Sequence, residues 1–219
     1  MTQDTALKIL QTGASVFLTG EPGSGKTHTV NQYVRWLRER GVEPAITAST
    51  GIAATHIGGM TIHSWSGIGI RKNLPPYELD AIASNERVAK RIANTSILII
   101  DEISMLSADT FAMAEMVVRE VRRNKSAFGG LQVVLVGDFF QLPPVITRNE
   151  QTDTQLDFGD ESGPNTASPF AFRSRTWSAL NPLVCYLSEQ HRQDDAQFLE
   201  LLARVRSGNA DTNTHATLE

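Results

Sequence analysis

The sequence predicts an α/β domain built on a mainly parallel β-sheet with helices on both faces. Three observations carry that prediction. Short apolar, β-rich runs alternate with helical stretches along most of the 219 residues. One run, Ile97-Leu98-Ile99-Ile100, is uninterrupted, as a central strand covered on both faces requires. A glycine-rich loop ending in Lys26-Thr27 stands between the first strand and the helix that follows it.

Taken in order, strands are predicted at 15–19, 44–48, 96–100, 132–136 and 183–187. The loop after the first strand leads into a helix carrying Tyr33, Val34 and Leu37. The clearest helix spans 108–125: Ser107 is its N-cap, Asp109 sits in its first turn, and Phe111, Ala114, Val117, Val118 and Val121 form an apolar stripe. A further helix is predicted at 196–206. Two segments break the rhythm. Residues 67–85, with Pro75-Pro76 and little periodicity, read as a surface excursion. Residues 148–169 hold five acidic residues against one arginine, with Gly159, Gly163 and Pro164, and read as a solvated loop or small hairpin inserted after the fourth core strand. The expected organisation is one α/β domain formed by 1–147 and 170–209, the acidic insertion at 148–169, and a polar tail at 210–219.

Composition sets the outer bounds. A hydrophobic fraction of 41% and a charged fraction of 20% are ordinary for a globular protein. No run approaches the ~20 apolar residues of a membrane span, and the N-terminus lacks the basic and apolar regions of a signal peptide. An intracellular protein with no membrane partner is expected: cytoplasmic in a bacterium, nuclear or mitochondrial in a eukaryote. Cys185, the single cysteine, lies in an apolar run and reads as a buried thiol without function. The net charge of −4 is no global footprint of a nucleic-acid-binding protein, so any such contact must be local or made by backbone amides.

The loop Gly20-Glu21-Pro22-Gly23-Ser24-Gly25-Lys26-Thr27 fits the phosphate-loop pattern G-x-x-x-x-G-K-[ST] at every fixed position, and His28 continues it. Glycines let successive N–H groups turn toward a phosphate, and the following helix adds its positive end. Lys26 can reach the β- and γ-oxygens, and Thr27 can place its hydroxyl on Mg²⁺. Asp101-Glu102 follow the central strand at its carboxyl end, where open α/β sheets bind ligands. Asp101 is expected to hold Mg²⁺ through water, and Glu102 to polarise the attacking water. Together these motifs predict a P-loop NTPase with ATP and Mg²⁺ as cofactors.

Further blocks carry a resemblance. Thr47-Ala48-Ser49-Thr50-Gly51-Ile52-Ala53-Ala54, Thr61-Ile62-His63-Ser64, Asp101-Glu102-Ile103-Ser104-Met105-Leu106 and Gly137-Asp138-Phe139-Phe140-Gln141-Leu142-Pro143-Pro144 resemble those of a superfamily-one helicase. They are most similar to the petite-integration-frequency (PIF) family of 5′-to-3′ DNA helicases, with RecD-type helicases next. Residues 109–132 resemble that family's signature stretch. The resemblance implies a RecA-like sheet and an ATP-dependent DNA helicase acting in repair, recombination or replication. It implies catalytic roles for Lys26, Glu102, Gln141 and Arg192: Gln141 as reporter of the γ-phosphate, Arg192 as an arginine approaching it. The family usually has an aromatic residue before that arginine, where this chain has His191. It implies that Gln3 reads the adenine edge, and that Ser49, Thr50, Gly51 and His63 contact single-stranded DNA or DNA junctions. Taken alone, Ser49-Thr50-Gly51 is an ordinary N-cap, and Trp65 beside His63 is a core residue.

The resemblance also places ATP between two RecA-like domains, of which this sequence supplies one. The expectation is a monomer that binds ATP–Mg²⁺, turns it over slowly and needs the second domain to unwind duplex. The insertion at 148–169 is expected to be a steric wedge or a mobile loop. Two rival readings stand beside this one: a P-loop ATPase of another kind, which would carry a different sensor where Gln141 stands, and a non-catalytic module that binds DNA.

Overall fold

A computed structural model of the chain describes residues 1–144 and 169–188. Within them a six-stranded sheet runs in the spatial order β3-β2-β4-β5-β1-β6, with every pairing parallel. The strands are β1 (Val16–Gly20), β2 (Ala45–Ala48), β3 (Met60–Thr61), β4 (Ile97–Asp101), β5 (Gln132–Val136) and β6 (Leu183–Leu187). The register is continuous through the centre: Ile99 pairs with Val134, and Val134 with Val16.

Both faces of the sheet are covered, and the alternation along β4 shows how. Ile97 and Ile99 pack with Val16, Leu18 and Val134 beneath α1 (Gln3–Gln11) and α2 (Lys26–Arg38). Leu98 and Ile100 pack with Phe17, Val133 and Leu135 on the other face. That face is covered by α4 (Ile62–Ser66), α5 (Pro76–Ala83), α6 (Glu86–Ala93), α7 (Ala108–Arg122) and α8 (Arg175–Leu180), while α3 (Gly51–His56) follows β2. The unbroken apolar run Ile97-Leu98-Ile99-Ile100 is what this double burial demands. No described helix is long and apolar enough to cross a membrane.

Several sequence expectations hold and others shift. Ser107 caps α7 by accepting the Thr110 N–H, but the helix ends at Arg122 because Arg123 turns left-handed at φ 50°. Strand β1 includes Gly20, and β4 includes Asp101, which were expected just outside them. The edge strand β3 makes β5 the fifth strand in chain order. The reading of 67–85 as a surface excursion is corrected: Ile68, Leu74 and Ile82 are core residues, and α5 starts on Pro76. Only Leu79 and Ile82 of that helix face the core, too few to show as a period. Cys185 is buried, as read. Trp65 is core at 2% exposure. Of the insertion expected at 148–169 all but Pro169 lies outside the described residues, as do the predicted helix 196–206 and the tail.

Candidate functional site

Strands β4, β5 and β1 are neighbours, so the loops leaving their carboxyl ends meet. The loop after β1 is the glycine-rich one. Gly25 holds φ +84° as the N-cap of α2, and a Cβ there would collide with Nε2 of Gln3. Gln3, in the first turn of α1, donates from that same atom to the Ser24 carbonyl at 3.2 Å. A Cβ on Gly20 would meet the Leu187 carbonyl and the Ser24 hydroxyl, so only glycine lets β6 and the loop close together. Ser24 Oγ is buried and has no hydrogen-bond partner among the described residues. Lys26 Nζ donates to the carbonyls of Gly20 at 2.7 Å and Glu21 at 3.1 Å, which holds the ammonium over the loop. Pro22, Thr27 and His28 are exposed, and Glu21 and Gly23 are half-buried.

After β4 comes a strained turn. Glu102 sits at φ 52°, ψ 44°, left-handed backbone that costs a residue with a side chain roughly 1–2 kcal/mol. Its N–H donates to Asp101 Oδ1 at 2.9 Å. Burial pushes the Asp101 carboxyl above its usual range, opposed by that N–H and by Lys26. Burial also raises Glu102, with the charges of Asp101 and Asp138 adding and Lys26 opposing.

After β5 the chain turns through Gly137 and Asp138. Asp138 is 1% exposed. Its Oδ1 accepts the Phe140 N–H at 3.1 Å, its Oδ2 accepts Nε2 of Gln141 at 3.1 Å, and its carbonyl accepts the Gln141 N–H at 2.9 Å. Sequence reasoning gave Asp138 no role, although a Gly-Asp pair straight after a buried strand was the available signal.

Thr27, Asp101, Glu102 and Gln141 line one cleft of about 490 Å³, together with Thr50 and Ile52. The four come from three separate parts of the sequence. The donor set suits Mg²⁺: a hydroxyl and a carboxylate, both hard oxygens, with room for water and phosphate oxygens to complete six. Among the described residues no group of three or more His, Cys, Asp or Glu side chains could hold a metal ion.

The residues expected at DNA divide. Ser49 donates its N–H to the Asp101 carbonyl at 3.2 Å, and its hydroxyl is buried without a partner among the described residues. The Thr50 hydroxyl is the N-cap of α3 and accepts from the Ala53 N–H at 3.2 Å, so it is engaged, while Gly51 is exposed. His63 in α4 is half-buried, does not line the cleft, and is held toward the neutral form by burial. Arg192 lies outside the described residues.

The comparisons with known proteins agree with this geometry. The PIF1-like helicase family matches residues 3–216. The ATP-dependent DNA helicase Pif1 of Psychrobacter is 47% identical over 216 residues, covering 95% of this chain and 31% of that protein. A Bacteroides Pif1 bound to single-stranded DNA superposes with TM-score 0.79 at 29% identity, over 99% of this chain and 48% of that one. A Bacteroides Pif1 in complex with ADP-AlF4 gives TM-score 0.76 at 30% identity, over 97% of this chain and 47% of that one. The chain thus spans under half the length of each. With the family match running over nearly all of its length and the site motifs standing on the expected strand ends, the chain belongs to the PIF1-like helicase family.

Proposed function

We propose that this chain is the ATP-binding motor domain of a 5′-to-3′ DNA helicase that acts inside the cell in repair, recombination or replication. One observation carries the reading: the ends of β1, β4 and β5 bring Thr27, Asp101, Glu102 and Gln141 to a single cleft beside Lys26. Lys26 exchanges the Gly20 and Glu21 carbonyls for β- and γ-phosphate oxygens. Thr27 and Asp101 would hold Mg²⁺, which supplies charge neutralisation at the phosphates. Glu102 takes a proton from the attacking water, and Gln141 responds to the γ-phosphate. Gln3, already packed on the phosphate loop, reads the adenine edge. Residues 20–28 supply the remaining nucleotide contacts.

Single-stranded DNA or a DNA junction is the partner. It would lie against Gly51 and the turn at Ser49–Thr50, with His63 as a neutral contact. Ser49 ties that turn to the Asp101 carbonyl, so the nucleotide and DNA sides share a backbone link. Arg192 and a second RecA-like domain complete the catalytic centre in this reading, and the working unit is a monomer.

The test is ATP turnover and nucleotide binding by this chain, with and without single-stranded DNA, against Lys26→Ala. The expected result is nucleotide binding with slow turnover, both reduced at least tenfold in the variant. Binding unchanged by the substitution refutes the placement of the phosphates.

A further inference from the structure

We propose that Asp138 is the positioning residue for Gln141, and that it fixes which end of the Gln141 amide faces the nucleotide. The inference rests on the reading above that Gln141 acts in the ATP cleft, and it assigns the contact to the attacking water instead of a γ-phosphate oxygen.

An ionised carboxylate accepts hydrogen bonds and donates none. Asp138 is buried, and its two oxygens receive the Phe140 N–H and Gln141 Nε2. The amide must therefore turn its NH₂ end toward Asp138, which leaves Oε1 as its other end. Among the described residues Oε1 has no partner, and Gln141 lines the cleft with Glu102 and Thr27. A carbonyl oxygen cannot bond a phosphoryl oxygen, since neither brings a hydrogen. It can accept one from water. Gln141 thus orients the attacking water through Oε1, alongside Glu102, which takes that water's proton. The backbone is held in the same way: the Gln141 N–H on the Asp138 carbonyl closes the 138–141 turn, so the side chain starts from a fixed point.

Asp138→Asn keeps the shape and reverses the polarity. Its Oδ1 can still accept the Phe140 N–H, but its Nδ2 now donates, so Gln141 must flip to present Oε1 to it and NH₂ to the cleft. The experiment measures DNA-stimulated ATP turnover, nucleotide Kd and melting temperature in the full-length gene product. The four proteins are wild type, Asp138→Asn, Gln141→Ala and the double variant. Asp138→Asn is expected to lower turnover at least tenfold with nucleotide Kd within about threefold of wild type. In the Gln141→Ala background it should lower turnover no further. A fall of equal size in both backgrounds would show a general structural role and overturn the inference, as would wild-type turnover in Asp138→Asn. Gln141→Ala at the wild-type rate would overturn the inference together with the role given to Gln141. If only Asp138→Asn is neutral, the reading of the site stands and the positioning role falls.

Discussion

Gln132 joins three elements through one side chain, and its removal has a calculable cost. Its Nε2 donates to the carbonyls of Leu10 and Ala14, each at 2.9 Å, and its Oε1 accepts the Tyr33 hydroxyl at 2.8 Å. Leu10 lies in the last turn of α1, Tyr33 in α2, and Gln132 opens β5. Each such bond contributes a net ~0.5–1.5 kcal/mol, so Gln132→Met, which keeps length and removes all three, should destabilise by about 2–4 kcal/mol. For a chain of this size that lowers Tm by roughly 4–16 °C. Tyr33→Phe removes one bond and should cost about 1 kcal/mol. Tyr33 is 1% exposed, so Gln132→Met strands its hydroxyl in the core, and the double variant should cost less than the sum of the singles by about 1 kcal/mol. Urea unfolding of the four proteins measures this. A Gln132→Met within about 0.5 kcal/mol of wild type, or strict additivity, refutes the account. The functional corollary is specific: α1 carries Gln3 at its other end, so amide exchange in α1 should accelerate.

Gly25→Ala should destabilise by about 1–2 kcal/mol from the left-handed backbone alone, and more from the collision with Gln3; Gln3→Ala in the same chain should restore only the second part, by urea melts. For Glu102 as proton acceptor, the acid limb of kcat/KM should lie above the ordinary glutamate value of 4.5, because burial and Asp101 both favour the protonated form. An acid limb at or below that value removes Glu102 from the role. Asp101 also has a raised carboxyl pKa. The folded state then holds its proton more tightly than the unfolded chain, so stability is lost as pH rises through the folded value. Asp101→Asn should accordingly raise Tm of the nucleotide-free protein at neutral pH, with the gain disappearing in acid, by differential scanning fluorimetry.

The parts of the fold readable in the sequence are those specified locally. The strand runs of β4 and β5 are apolar at every buried position, and the phosphate loop announces itself because glycine is required at fixed offsets. Helix α5 was hidden because eight residues give two turns and only Leu79 and Ile82 reach the core, whereas α6 carried a readable signal in its Asn85 cap and in Val88 and Ile92 one turn apart. The left-handed turn at Glu102 was hidden for a different reason: nothing in Asp-Glu-Ile asks for it, and it is imposed where β4 ends. The signature stretch 109–132 was legible as a resemblance without a cause. The structure supplies one: Glu115, 6% exposed, accepts the N–H of Phe128, itself left-handed at φ 47°. Arg122 donates to the Gly129 and Thr95 carbonyls, so the stretch ties α7 to the turn before β5.

The acidity that weighs against nucleic-acid binding in the whole chain has a local meaning at the cleft. Asp101 and Asp138 each lie close enough to raise the Glu102 carboxyl, and among the described residues Lys26 is the cation that opposes them there. Adding a triphosphate to that arrangement brings further negative charge against two partly buried carboxylates, more than the Lys26 ammonium alone offsets. A divalent cation held by Asp101 and Thr27 would supply positive charge there, and the raised carboxyls and that hydroxyl in the same cleft fit the Mg²⁺ site proposed above. The left-handed, charge-loaded turn at 101–102 costs stability in the nucleotide-free chain, and such a cost is expected where ligand binding contributes to setting the sequence.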